Sequence, residues 1–372
     1  MSRRAASASL RILRCLSATI LAAGAALAQA AASSGQDLAE AAGRPLIGKP
    51  APRLTMTSID GDAIDLGSLY GHKAVYLKFW ATWCVPCRQQ MPHFEHTFET
   101  AGPNLAVIAI NTGFNDSIDA VKAYRKQLGI TMPIVIDDGR LATAFGLRVT
   151  PQHIVIGRDG RILYVGHLAD ARLDDALTAA RAESRAAPPA QATTPAALAA
   201  RRYQLGDRVA QLSFKTLDGG RFRLQDADPR PVVLVFLSPW CESYLAQSRP
   251  VEAAECRSMR EQISALGEAP SVRLLGIAAG LWATQQDLRD YRSKYAVTMP
   301  LTLDSSGELF REFGVREVPV ALMIDRQRRI VREITAADSQ KPNALTEALA
   351  GLQGTRAPES AGLRGSPQID SR

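Results

Sequence analysis

Sulfur and imidazole are both scarce in this chain, which carries five cysteines and five histidines in 372 residues. So few thiols in so long a chain exclude a disulfide scaffold as the source of stability. The histidines all lie between His72 and His167, so a copper site of the cysteine-plus-histidine kind has no histidine ligand in the second half. No apolar run reaches the roughly 20 residues of a membrane span; the Ala-rich stretch Leu16 to Ala28 falls short. Charge of one sign is also lacking. The formal net charge is +7, and setting aside the first thirty residues, with four arginines and no acid, leaves +3. That is ordinary for a soluble protein and gives no sign of a nucleic-acid partner.

Those first thirty residues read as a leader. Arg3, Arg4, Arg11 and Arg14 precede the apolar run, and Ala28-Gln29-Ala30 fits the small-x-small cleavage pattern. The expectation is a signal peptide over 1–30, a linker over 31–45 and a periplasmic protein, with an uncleaved anchor as the alternative. Arg3-Arg4 lacks the apolar signature of a twin-arginine signal, and Cys15 follows Arg14 rather than a lipobox. Cleavage leaves Cys84, Cys87, Cys241 and Cys256.

Chemistry concentrates at Trp83-Cys84-Val85-Pro86-Cys87. An apolar run, Val75 to Trp80, precedes it and a helix-compatible stretch, Arg88 to Phe98, follows. A thiol at a helix start meets unpaired N–H groups that favour the thiolate, the species that attacks disulfides. A second thiol one turn on can resolve the mixed disulfide. Cys84 is therefore the expected exposed nucleophile and Cys87 the resolving thiol. A static clip is a poor reading, because so short a loop stabilises little. Zinc is disfavoured too: on a straight helix His96 would lie about 18 Å from Cys84, and His93 and His96 are spaced more closely than usual zinc-binding histidines.

Phe79 to Arg88, followed by Met91-Pro92, resembles the active site of thioredoxin-fold reductases of the TlpA/ResA type, and Thr150-Pro151 resembles their cis-proline loop. The resemblance covers most of residues 46–183. It implies that Pro151 is cis and faces the cysteines, and that Thr150 offers backbone groups to an extended substrate. Trp83 and Pro86 are the further substrate-contact candidates. It also implies reduction of disulfides in exported proteins, such as apocytochromes or metallo-oxidase assembly substrates. Electrons would come from a membrane thiol reductase, with no dissolved cofactor and no bound metal. Lys78 stands where thioredoxins commonly carry a buried acid. It either favours the thiolate or buries its stem and extends its head to water. Glu95 is expected to be solvated and His153 to sit in the core or at a sheet edge.

The chain also contains itself twice. Asp60-Gly61 matches Asp218-Gly219, Trp83-Cys84 matches Trp240-Cys241, Tyr124-Arg125 matches Tyr291-Arg292, and Pro151 matches Pro319. A period of roughly 160 residues fits two domains of one fold rather than a solenoid. In each copy buried strands alternate with helices, which predicts α/β architecture: two tandem thioredoxin-like domains, each a central mixed sheet flanked by helices. The expected bounds are 46–184 and 203–352, with a Pro/Ala linker over 185–202 and a disordered tail over 353–372.

The second copy is degenerate. Tyr244 replaces the resolving cysteine, and Cys256 would lie about 22 Å from Cys241 on an unbroken helix. A bond between them needs a chain reversal after Pro250, which the helical look of Val251–Glu261 argues against. Docking is the expected role of this domain, with Cys241 a relic; a mixed disulfide from Cys241 to Cys84 is the alternative. For the whole protein the alternatives are a Cu(I)-delivery module and an oxidant that installs disulfides.

Overall fold

The computed structural model describes residues 35–182, 203–225, 228, 230–267 and 271–354. The expected signal peptide, the Pro/Ala linker and nearly all of the tail lie outside the described residues.

The first domain opens with helix α1 (Gly35–Gly43) and a hairpin of β1 (Thr55–Thr57) and β2 (Ala63–Asp65). Gly61 serves its turn at φ +96°, a conformation that costs glycine little. Next come α2 (Leu66–Leu69), β3 (Ala74–Trp80), α3 (Val85–Gln89), α4 (Met91–Glu99), β4 (Leu105–Asn111), α5 (Ile118–Leu128), β5 (Ile134–Ile136), α6 (Arg140–Ala144), β6 (Gln152–Ile156), β7 (Ile162–Gly166) and α7 (Ala171–Ala182). The sheet order is β5-β4-β3-β6-β7, with β3, β4 and β5 parallel and β6 and β7 antiparallel. Every residue of β3 is buried, as a central strand covered on both faces requires. Tyr76 and Trp80 pack on one side with Phe94 of α4, and Val75, Leu77 and Phe79 on the other with Phe145. Each fully buried side chain of this size contributes roughly 1.5–3 kcal/mol.

The second domain repeats the plan with β8 (Leu212–Lys215), β9 (Arg221–Leu224), β10 (Val232–Leu237), α8 (Cys241–Tyr244), α9 (Pro250–Leu266), β11 (Arg273–Ala279), α10 (Gln285–Tyr295), β12 (Leu301–Asp304), α11 (Glu308–Glu312), β13 (Val320–Ile324), β14 (Ile330–Ile334), α12 (Ala336–Ser339) and α13 (Ala344–Gly354). Its sheet order is β12-β11-β10-β13-β14. The repeated residues do matching work. Arg125 holds Asp60 at 2.7 Å, and Arg292 holds Asp218 in the same way, each tying the domain's hairpin to its polar helix.

Two expectations are corrected here. The stretch 31–45, read as a linker, carries α1, which buries Ala39 and Gly43 against β7; there Val165 leaves no room for a side chain on Gly43. Cys241 and Cys256, judged too far apart to bond, form a disulfide with Cα atoms 6.3 Å apart. The chain does reverse, but just before Pro250. Arg249 leaves helical geometry (φ −144°, ψ 70°), as a residue preceding proline tends to. Helix α9 therefore starts afresh and brings Cys256 back over α8.

The domains pack face to face about a pseudo-twofold. Asn115 N–H donates to the Arg316 carbonyl at 2.8 Å, and its counterpart Trp282 N–H donates to the Arg148 carbonyl at 2.8 Å. Trp83 and Trp240 stack with centroids 5.0 Å apart. One continuous apolar cluster includes Cys84 and Cys87 of the first domain and Cys241 and Cys256 of the second.

Candidate active site

Cys84 ends the loop after β3 in an extended conformation (φ −80°, ψ 105°) and caps α3, its sulfur accepting from Cys87 N–H at 3.2 Å. Pro86 occupies the first turn of α3, where its missing N–H costs nothing. The helix stops at Gln90 and restarts as α4 with Met91-Pro92. Cys84 and Cys87 form a disulfide with Cα atoms 5.2 Å apart.

Thr150-Pro151 is a cis peptide, as is Val318-Pro319 in the second domain. The Cys84 sulfur lies 3.3 Å from the Thr150 carbonyl oxygen. Trp83 donates its indole N–H to the Phe114 carbonyl at 2.8 Å, and Trp240 does the same to Leu281. The structure thus brings Trp83, Cys84, Pro86, Cys87, Thr150 and Pro151 to one place.

Their exposure differs from expectation. Cys84 is only 1 % exposed and Trp83 3 %, because the second domain covers them. Trp240 lies on Trp83, the Tyr244 hydroxyl accepts from Val85 N–H at 3.1 Å, and Trp282 donates its indole N–H to the Thr150 hydroxyl at 3.1 Å. Arg249 anchors the contact, donating to the Asn115 carbonyl at 2.7 Å and pairing with the buried Asp116 at 3.1 Å. Asp116 in turn accepts from Thr82 N–H and the Asn111 amide, both at 2.8 Å.

Lys78 does not reach water. It is fully buried, its ammonium 5.2 Å from the Phe94 ring centroid and without a hydrogen-bond partner among the described residues. Burial pulls its pKa down to about 7. Glu95 is half-buried rather than solvated, its carboxylate accepting from Thr131 N–H at 2.8 Å. His93 lies 3.1 Å from Asp174, and His96 lies beside Glu99 near the surface.

The motif reading missed a polar chain behind the cysteines. The Tyr76 hydroxyl donates to His153 Nδ1 at 2.8 Å, and His153 Nε2–H donates to Gln90 Oε1 at 2.8 Å. Gln90 Nε2 donates to the His167 carbonyl at 3.2 Å, and His167 Nδ1–H donates to the Pro151 carbonyl at 2.7 Å. The chain ties the end of α3 to the cis-proline loop. His153 is held neutral, its pKa pushed well down first by burial and then by the charge of Lys78. Its position on an apolar strand was the available signal; Gln90 and His167 carried none.

In the second domain the Cys256 sulfur lies 3.9 Å from the Val318 carbonyl oxygen, beside cis-Pro319. Cys241 starts α8 between Trp240 and Tyr244, the residues that touch the first domain's cysteine loop.

A thioredoxin-like fold with a cysteine pair against a cis-proline defines a thiol-disulfide oxidoreductase. The AhpC/TSA family profile matches residues 47–165 and 205–333, one stretch in each domain, and the chain belongs to that family. It is 34 % identical over 119 residues to the thiol-disulfide oxidoreductase ResA of Bacillus thuringiensis, covering 32 % of this chain and 67 % of the relative. It is 32 % identical over 133 residues to the thioredoxin-like protein YneN of Bacillus subtilis, covering 35 % of this chain and 78 % of the relative. A thioredoxin-family thiol:disulfide interchange protein from Chlorobium tepidum, known from its crystal structure, is 30 % identical, covers 36 % of this chain and 95 % of its own, and has a TM-score of 0.33. The protein is a TlpA/ResA-type thioredoxin-like oxidoreductase in tandem form, its second domain without the Cys-x-x-Cys pair.

Proposed function

We propose that this protein works outside the cytoplasm and reduces disulfides of exported proteins through Cys84 and Cys87, with the second domain as a docking element. The observation that carries this reading is the Cys84–Cys87 pair set against cis-Thr150-Pro151.

In the reduced protein the Cys84 thiolate is stabilised by Cys87 N–H. It attacks one sulfur of a substrate disulfide, and the other substrate sulfur leaves as a thiolate. Cys87, having lost its proton, then attacks Cys84 and releases the second substrate thiol, restoring the Cys84–Cys87 disulfide. Thiol exchange with a membrane reductase returns the two electrons. Thr150 lines the groove with its backbone, and Trp83 and Pro86 flank the attacking sulfur.

Docking is supported by the way the second domain's cis-proline loop already holds chain: the Asn115 side-chain amide accepts from Val318 N–H at 3.0 Å and donates to the Val318 carbonyl at 3.3 Å, as an extended peptide would. A protein substrate reaches Cys84 only when the two faces part.

The test is capture. Cys87→Ser combined with Cys241→Ser, which leaves Cys84 no sulfur partner at Cys241, should trap mixed disulfides with exported proteins through Cys84, and Cys84→Ser should trap none. Faster alkylation of Cys87 than of Cys84 in the reduced protein would reverse the assignment. A reduction potential of the pair well above that of its compartment would make the protein an oxidant instead.

A further inference from the structure

Nothing in the reaction above uses the Cys241–Cys256 disulfide. We propose that it is a second thiol–disulfide exchange site, and that its redox partner is the Cys84/Cys87 pair of the same chain, with Cys241 as the entry sulfur. The proposal rests on Cys84 being the nucleophile.

Three independent features carry it. The second disulfide has the surroundings of the first: the Cys256 sulfur lies 3.9 Å from the carbonyl that precedes cis-Pro319, as the Cys84 sulfur lies 3.3 Å from the carbonyl that precedes cis-Pro151. The two pairs share one apolar cluster that crosses the domain boundary. The contacts that dock the domains also bracket Cys241. Trp240, just before it, stacks on Trp83, just before Cys84, and Tyr244, one turn after it, bonds to Val85, just after Cys84. Cys256 lies against Val318, the residue that the Asn115 amide of the first domain holds. Cys241 is only 1 % exposed and Cys256 8 %, so an external protein thiol meets a barrier at both sulfurs. Docking within one chain also holds the partners at high effective concentration.

The exchange balances without any further reagent. The Cys84 thiolate attacks Cys241 Sγ; the Cys241–Cys256 bond breaks and Cys256 leaves as a thiolate that takes a proton from solvent. Cys87, its proton released to solvent, attacks Cys84 Sγ, and Cys241 leaves as a thiolate and is protonated. Cys84/Cys87 is oxidised to the disulfide, Cys241/Cys256 is reduced to the dithiol, and two electrons have crossed the domain boundary.

The experiment uses the full chain, fully oxidised, treated with one equivalent of dithiothreitol, and follows both disulfides by differential alkylation and mass spectrometry. In the wild type, Cys241–Cys256 should open after Cys84–Cys87, at a rate independent of protein concentration. In Cys84→Ser the same reagent should open it at least about tenfold more slowly; equal rates in the two proteins would overturn the proposal. In Cys87→Ser, non-reducing peptide mapping should show a Cys84–Cys241 linked peptide and a free Cys256. A free Cys84 beside an intact Cys241–Cys256 disulfide would overturn it as well. If wild-type protein reduces insulin through Cys84 but the linked peptide is missing, this inference alone fails. If Cys84 reduces neither, the function proposed above fails with it.

Discussion

Asn115 and Trp282 are each other's counterparts across the domain boundary. Both have left-handed backbones, at φ 52° and 56°, and each donates its N–H to a carbonyl two residues ahead of the other domain's cis-proline dipeptide. Such a conformation is uncommon for a non-glycine residue, and its occurrence at both related positions shows that the loops are shaped for one another. The interface is the isologous contact of a symmetric dimer, built inside one chain.

Arg249 is the charged anchor of that contact. Arg249→Ala leaves the buried Asp116 carboxylate without its cation and should cost roughly 2–4 kcal/mol. In the reduced protein Cys84 should alkylate several-fold faster, because the second domain is held less tightly. Urea unfolding together with timed alkylation measures both effects, and an unchanged alkylation rate would count against the covering role.

The two domains expressed as separate pieces, 35–182 and 203–354, should co-elute on gel filtration when mixed. The faces that each would expose carry Trp83 and Phe114 on one side and Trp240 on the other. Two pieces that stay monomeric after mixing would show that the linker, not the surface, holds the domains together.

Lys78 predicts a pH signature. Its folded pKa is depressed to about 7 from an ordinary 10.5, so between those values the unfolded chain binds the extra proton. Wild-type stability should therefore rise by about 2 kcal/mol from pH 7 to pH 9 through this group, and the gain should be lost as pH falls through 7. Lys78→Met removes the dependence and should stabilise the protein at pH 7 and below. Denaturant titrations of both proteins at the two pH values test it, and parallel curves would show that the ammonium is hydrated.

Tyr76→Phe deletes the donor to His153 Nδ1 and leaves a buried acceptor unsatisfied. It should cost about 1–2 kcal/mol. Because the polar chain continues through Gln90 and His167 to the Pro151 carbonyl, the reduction potential of Cys84/Cys87 should move too. A variant equally destabilised in the separate core on the other face of the sheet, such as Ile162→Val, should leave the potential where it is.

Much of this was legible in the residues themselves. The run Val75 to Trp80, apolar but for Lys78, reads as a strand covered on both faces, and Cys84 and Cys87, separated by two residues at a helix start, point to redox chemistry. The repeat, visible at pairs such as Asp60/Asp218 and Pro151/Pro319, showed that one fold occurs twice, since local periodicity and turn chemistry need no distant contact to be read. Three things were decided only by tertiary structure. The turn before Pro250 set the angle at which α9 restarts, and so brought Cys256 to Cys241. The packing of β3 against α4 sealed the ammonium of Lys78 under Phe94. The mating of two whole surfaces buried Cys84 and set the two disulfides in one apolar cluster. Each depends on the relative placement of segments far apart in the chain, and that placement is fixed by the summed burial of many side chains rather than by any residue's neighbours in sequence.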